Sequence, residues 1–152
     1  MANKTIVIVS GYFAPLGAHH IKFFEAAKKL GDELWVIVNN DLQLANKKHG
    51  LVIQGHNERR YIVSSLKTVD YTTISNDVTN SVSETLKNIA KNCPYMKLIF
   101  ANGGDRTEPT LAEHMICKEF GIEQVFNVGP PKTQGSSDVI KRIGEWYVAK
   151  NQ

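Results

Sequence analysis

The segment Gly11-Tyr12-Phe13-Ala14-Pro15-Leu16-Gly17-Ala18-His19-His20 carries the strongest chemical signal in this chain. It follows a β-branched run, Thr5 to Ser10, and leads into an amphipathic helical pattern, so the two histidines fall in a first helical turn. Backbone amides at such a turn point outward with partial positive charge, which suits phosphate oxygens. A protonated histidine there opposes the helix dipole unless an anion compensates it. The spacing is neither the G-x-G-x-x-G of dinucleotide folds nor the G-x-x-x-x-G-K-[ST] of a P-loop, since only Gly11 and Gly17 are present and no lysine follows.

Other groups suit the same anion. Lys47 and Lys48 stand side by side in a polar stretch, where they neutralise triphosphate charge or are simply solvated. Arg59 offers a guanidinium fork that matches phosphate geometry, with a surface helix position as the alternative, a role that Arg60 fills more readily. Ser136 and Ser137 open a helical pattern and either donate to phosphates or cap that helix. Asn102-Gly103-Gly104-Asp105-Arg106 directly follows a strand-like run, so a nucleotide base or ribose would meet its backbone; an ordinary glycine turn reads the same way. Phe23, Trp35, Trp146, Cys93 and Cys117 read as packing, and His114 as a surface residue.

These residues need a frame, and the chain supplies alternation. Short β-branched runs at Thr5 to Ser10, Glu33 to Asn39, Tyr71 to Ser75, Lys97 to Ala101 and Gln124 to Val128 predict five parallel strands. Helical periodicity predicts helices over His20 to Leu30, Asn57 to Val69, Ser81 or Ser83 to Asn92, Leu111 to Phe120 and Ser136 to Ala149. Gly31 and Gly121 stand where left-handed C-caps are expected, and Asn57 where an N-cap is. Asp41 to His56 and Asn102 to Pro109 are then long polar connections at strand C-termini, where an open α/β sheet binds ligands.

With 152 residues, 42% of them hydrophobic, the chain fits one domain spanning 1–152. A net charge of +3 falls short of a nucleic-acid footprint, which has only a pI of 8.8 behind it. No apolar run approaches the ~18 residues that cross a bilayer, and no secretory leader opens the sequence, so a cytoplasmic protein that binds neither membrane nor nucleic acid is expected. Two cysteines too far apart for CxxC and five histidines without HExxH spacing leave no zinc site or disulfide scaffold to expect.

The segment ending at His20 resembles the G-x-F-D-x-L-H-x-G-H signature of the cytidylyltransferase-like nucleotidyltransferase superfamily, which includes glycerol-phosphate cytidylyltransferases and heptose-phosphate adenylyltransferases. The similarity continues in register. Ala26-Ala27-Lys28-Lys29-Leu30-Gly31-Asp32 resembles A-K-x-L-G-D, Val36 to Asp41 resembles the strand ending in S-T-D or N-S-D, and Lys47-Lys48 resembles the basic loop. Glu58-Arg59 resembles E-R of E-E-R-x-x-I, Val69-Asp70 the V-D beyond it, Gly103-Gly104-Asp105 the G-G-D turn, and Ser136-Ser137-Asp138-Val139-Ile140 the closing S-T-T-x-I-I. Gly17 stands where the superfamily has the first histidine of H-x-G-H, His19 where it has glycine, and Ala14 where it has aspartate.

The resemblance implies a Rossmann-like α/β domain with a five-stranded parallel sheet, and an enzyme that joins an NMP unit from CTP or ATP to a small phosphorylated alcohol or sugar. It implies Mg²⁺ with the nucleotide and a homodimer. His20, His19 and Lys47 are then expected in catalysis; Gly11, Tyr12, Phe13, Gly17, Gly103, Asp105, Arg106, Ser136 and Ser137 around the nucleotide; and Asp41, Lys48 and Arg59 on the second substrate. The alternative is a nucleotide-binding homologue with weak or no turnover, for which Gly17 and Ala14 speak.

Overall fold

The computed structural model describes residues 3–104, 109–131 and 135–152. Asp105 and Arg106 lie outside the described residues. The elements run β1 (Thr5–Gly11), α1 (Ala18–Lys28), β2 (Glu33–Val38), α2 (Asp41–Lys47), α3 (His56–Ser64), β3 (Tyr71–Ile74), α4 (Ser83–Asn92), β4 (Lys97–Gly103), α5 (Leu111–Phe120), β5 (Glu123–Val128) and α6 (Ser136–Lys150). All strand pairs are parallel and the sheet order is β3-β2-β1-β4-β5. The expected five-stranded parallel sheet is therefore present.

Strand alternation divides the core. Val7, Val9, Val36, Val38, Ile99 and Ala101 face one layer, where they meet Phe24 and Ala27 of α1. Ile6, Ile8, Ile37, Leu98 and Phe100 face the other, where they meet Leu86, Ile89 and Ala90 of α4 and the buried Cys117 of α5. A strand buried on both faces must be apolar at every position, which is why β1 and β2 read as continuous Val/Ile runs. The order runs outward from β1 to β3 on one side and then through β4 and β5 on the other. The loops after β1 and β4 thus part over the C-terminal edge of the sheet, leaving a crevice at the switch point.

Several local expectations are corrected. Within the connection expected after Asp41 there is a sixth helix, α2. Asn40 accepts the Gln43 N–H at 2.9 Å while Gln43 Oε1 accepts the Asn40 N–H at 3.0 Å, a reciprocal cap. Gly31 is not a left-handed cap; α1 ends at Lys28 with Lys29 as its cap, and a Cβ on Gly31 would stand 2.9 Å from Thr5 O and Val7 Cγ2. Gly121 is left-handed as expected, at φ +67°. Helix α3 begins after Gly55, not Asn57, and ends at Ser64, with Leu66 and Val69 brought onto the core by successive turns. Trp146 does not pack: it is 59% exposed, on a helix with no buried residue.

Candidate active site

A cleft of about 750 Å³ opens over the C-terminal ends of β1 and β4. Gly11, Tyr12, Phe13, His19 and His20 form one wall, Lys47 and Lys48 a second, Ser136 and Ser137 a third, and Gly103 and Gly104 the floor beside them. Residues separated by more than a hundred positions in the sequence thus converge where the topology makes room.

The β1–α1 loop is built around Phe13. Its ring is buried and its backbone is left-handed, φ 54°, an arrangement that an aromatic residue holds only where packing compels it. The ring lies directly on Gly11, where a Cβ would come within 2.7 Å of Cε1 and Cζ. It also meets the edge of His20, with centroids 5.2 Å apart. Gly11 is therefore needed for close approach, and Phe13 in turn fixes His20.

The His20 ring is further oriented by the backbone: the Gly17 N–H donates to its Nδ1 at 2.9 Å. With Nδ1 accepting, the neutral ring carries its proton on Nε2. The His19 ring lies beside it, centroids 3.8 Å apart and planes tilted by 40°. A Cβ at Gly17 would stand 3.0 Å from His19 Nδ1, so the His19 ring occupies the space into which a side chain at position 17 would start.

The electrostatics single out this helix start. The first turns of α2, α3, α4, α5 and α6 each contain an acidic residue, Asp41, Glu58, Glu84, Glu113 and Asp138, whereas the first turn of α1 contains none and has no side-chain cap. The start of α4 is closed further by the buried Asp77, which takes the Glu84 N–H at 2.8 Å and the Thr85 N–H at 3.1 Å, and by Glu113, which takes the Val82 N–H at 2.9 Å. The positive end of α1 has instead two imidazoles beside the cleft.

The cations surround it. Lys47 Nζ stands 4.3 Å from the centroid of the Tyr12 ring. Lys48 Nζ donates to Ser137 Oγ at 2.6 Å, and Ser136 Oγ donates to Pro15 O at 3.0 Å. The two serines lie inside α6, after Gly135, and do not cap it; Asp138 does so by accepting the Gly135 N–H at 2.9 Å. Their hydroxyls instead tie α6 to the β1–α1 loop and to the end of α2.

Arg59 is not where a phosphate ligand was expected. It is fully buried: Nε donates to Gln54 O at 2.9 Å, Nη1 to Tyr12 O at 2.8 Å and Asn39 O at 2.7 Å, and Nη2 to Asp41 Oδ1 at 3.0 Å. Its fork joins the loops after β1 and β2 from behind the cleft, and Asp41 serves as its counter-ion, away from the lining residues. Sequence reasoning passed over Asn46, Asn80 and Glu113, which line the cleft together with Asn102. The signal for Glu113 was legible, since Thr110-x-x-Glu113 is a capping box. Among the described residues, no group of three or more His, Cys, Asp or Glu side chains is placed to hold a metal ion.

The family model described as cytidylyltransferase-like matches residues 8–142. The bifunctional protein HldE of Pelobacter propionicus is 32% identical over 150 residues, covering 95% of this chain and 28% of that protein. The FAD synthase of Methanocorpusculum labreanum is 30% identical over 116 residues, covering 74% of this chain and 78% of that protein. The chain thus spans little more than a quarter of the bifunctional relative. The crystal structure of a lipopolysaccharide core biosynthesis protein from Thermoplasma volcanium superposes with a TM-score of 0.65 at 24% identity, over 85% of this chain and 100% of that one, a likeness of fold. No helix among the described residues is long and apolar enough to cross a membrane.

Proposed function

Because the chain belongs to the cytidylyltransferase-like family, a family of nucleotidyltransferases, we propose that it transfers an NMP unit from CTP or ATP to a small phosphorylated alcohol or sugar. In that reaction an acceptor phosphate oxygen forms a bond to the α-phosphorus. The bond from that phosphorus to the bridging oxygen breaks, and pyrophosphate leaves with the electron pair. Positioning and charge stabilisation account for most of such catalysis, and no protein nucleophile is needed.

The observation that carries the reading is the acid-free start of α1 at the cleft, with His19 and His20 in its first turn. His20, its Nδ1 engaged by Gly17, would present Nε2–H to a phosphate oxygen as charge moves toward pyrophosphate. His19 supplies the second imidazole. Lys47 and Lys48 offset triphosphate charge, and the hydroxyls of Ser136 and Ser137 close over the β- and γ-phosphates. Gly103 and Gly104 offer backbone to the base or ribose. Arg59 acts as a positioning residue through the Tyr12 and Asn39 carbonyls.

Mg²⁺ would arrive on the nucleotide, held mainly through its phosphates, since among the described residues no group of three or more acidic, His or Cys side chains is placed to hold it. It would supply further charge neutralisation. Pyrophosphate release with each nucleotide and pooled alcohol and sugar phosphates tests the reading. Nucleotide that binds and never turns over would favour the weak-turnover alternative; failure of both nucleotides to bind refutes both.

A further inference from the structure

Helix α6 is tied to the body of the chain at its start, where Ser136 Oγ donates to Pro15 O and Lys48 Nζ to Ser137 Oγ. Residues 141–150 are all exposed, and no residue of the helix is buried. Its sequence, however, is not that of a solvated helix. Val139, Ile140, Ile143, Trp146 and Tyr147 fall on one stripe about 120° wide, with Asp138, Lys141 and Glu145 on the opposite face. Ile143, Trp146 and Tyr147 are 60%, 59% and 62% exposed. A stripe of this width normally faces a core. A helix of 15 residues is marginal in water by itself, the more so with Gly144 in its middle. The stripe therefore calls for a partner.

The order of the residues says which. Val139 and Ile140 stand four and three positions before Ile143, and Tyr147 and Trp146 four and three positions after it, so the stripe is symmetric about Ile143. Two such helices laid antiparallel about a two-fold axis at Ile143 bring Val139 of each against Tyr147 of the other, Ile140 against Trp146, and Ile143 against itself. That is the reciprocity an isologous contact demands, and it sets a β-branched residue against an aromatic one at each step off the axis. The groove lined by Val139, Arg142, Ile143 and Trp146 has the i, i+3, i+4, i+7 outline of a hole that receives a knob from a facing helix. With the axis at Ile143, that knob is the partner's Ile143. A lipid surface suits α6 less well, since its polar face carries both signs of charge and not the cation-rich face of a helix that lies on anionic lipid.

We propose that α6 is the surface through which two copies of this chain associate, antiparallel and centred on Ile143. The proposal does not depend on the nucleotidyl-transfer reading. A paired α6 is braced along its length, and its start carries Ser136 and Ser137 at the cleft. The two stripes cover on the order of 800 Å² between them, an area that goes with reversible association in the micromolar range.

Sedimentation velocity of the full chain from micromolar to sub-millimolar concentration tests this. The expected result is a reversible equilibrium between monomer and dimer, weakened about ten-fold or more by Ile143→Glu, which sets two carboxylates against each other on the axis. Ile143 is exposed in the single chain, so the unfolding midpoint of the dilute variant stays at the parent value. Oxidative cross-linking reads the geometry. Ile143→Cys links to its own copy, whereas Tyr147→Cys, whose two copies stand about 12 Å apart along the helices, does not. The parent, with Cys117 buried and Cys93 half-buried, serves as the blank. A chain that stays monomeric throughout, a dimer that Ile143→Glu leaves intact, no cross-link through Ile143→Cys, or equal cross-linking through Tyr147→Cys would each overturn the proposal. So would a monomer that sediments with phosphatidylserine vesicles, which gives the stripe to a lipid surface.

Discussion

The His19 ring lies against Gly17, so closely that a Cβ at position 17 would stand 3.0 Å from Nδ1 and 3.1 Å from Cε1 of that ring. Because the His19 ring also lies beside that of His20, exchanging glycine and histidine between positions 17 and 19 keeps two imidazoles at the cleft. The second is delivered from the first turn of α1, not from the loop before it.

His20→Ala is expected to lower kcat by about 10²-fold or more, the usual cost of removing one positioned donor to developing charge. His19→Ala is expected to lower it by a comparable factor. Steady-state kinetics of both variants, with unfolding midpoints to show that the fold persists, checks this. A silent His19→Ala would mean that its place over Gly17 is packing alone.

Gly17→His by itself is expected to bring no gain, because the new side chain must displace the His19 ring. Gly17 has an ordinary extended φ of −127°, so the backbone accepts histidine. The double variant Gly17→His with His19→Gly restores the family spacing and is expected to retain activity within about ten-fold of the parent, near 1.4 kcal/mol in barrier. Activity of the single and double variants, assayed side by side, decides the matter.

Arg59→Ala is expected to destabilise the fold by about 2–5 kcal/mol, since it vacates a fully buried site and leaves the Tyr12, Asn39 and Gln54 carbonyls without their donor. Arg59→Lys keeps the charge and loses the fork, so a smaller loss is expected, roughly 1–3 kcal/mol. Denaturant unfolding measures both. Wild-type stability with a raised KM for nucleotide would instead return Arg59 to a phosphate contact.

Acid should loosen the opposite edge of the sheet. Glu33 at the start of β2 is held below the usual carboxylate range by its hydrogen bond from Lys4, then by that from Trp35 Nε1. At Asp70, burial pushes the carboxyl up, but the bonds from Lys28 and the Leu34 N–H more than reverse this. Both folded-state values lie below the unfolded ones. Their contribution is therefore present above about pH 4, the unfolded carboxylate range, and is lost as pH falls through the folded values. Thermal midpoints measured down this range should fall less steeply in Glu33→Gln/Asp70→Asn than in the parent.

The sheet was legible because strands buried on both faces must be apolar at every position, as Ile6 to Val9 are. Gly121 was legible because a left-handed cap is a local property. Gly31 was misread because its reason is non-local: it lies against Thr5 and Val7, a contact that no neighbouring residue reveals. Helix α2 was missed although Asn40-x-x-Gln43 carries a capping box, since its seven residues are too few for periodicity to stand out. His20, Lys47 and Ser136 line one cleft. For Arg59 the sequence does not decide, because a guanidinium fork fits carbonyls and phosphate alike, and the burial that settles it is not written in the residues around it.

The most direct measurement follows the α-phosphate. CTP and ATP labelled at that position are incubated with Mg²⁺, the protein and pooled alcohol and sugar phosphates. The account predicts that the label moves into an acceptor-linked product in step with pyrophosphate release, for one nucleotide in preference to the other, and that His20→Ala slows the transfer by about 10²-fold. Label that remains in the triphosphate, or appears only in free nucleoside phosphates regardless of acceptor, would contradict it.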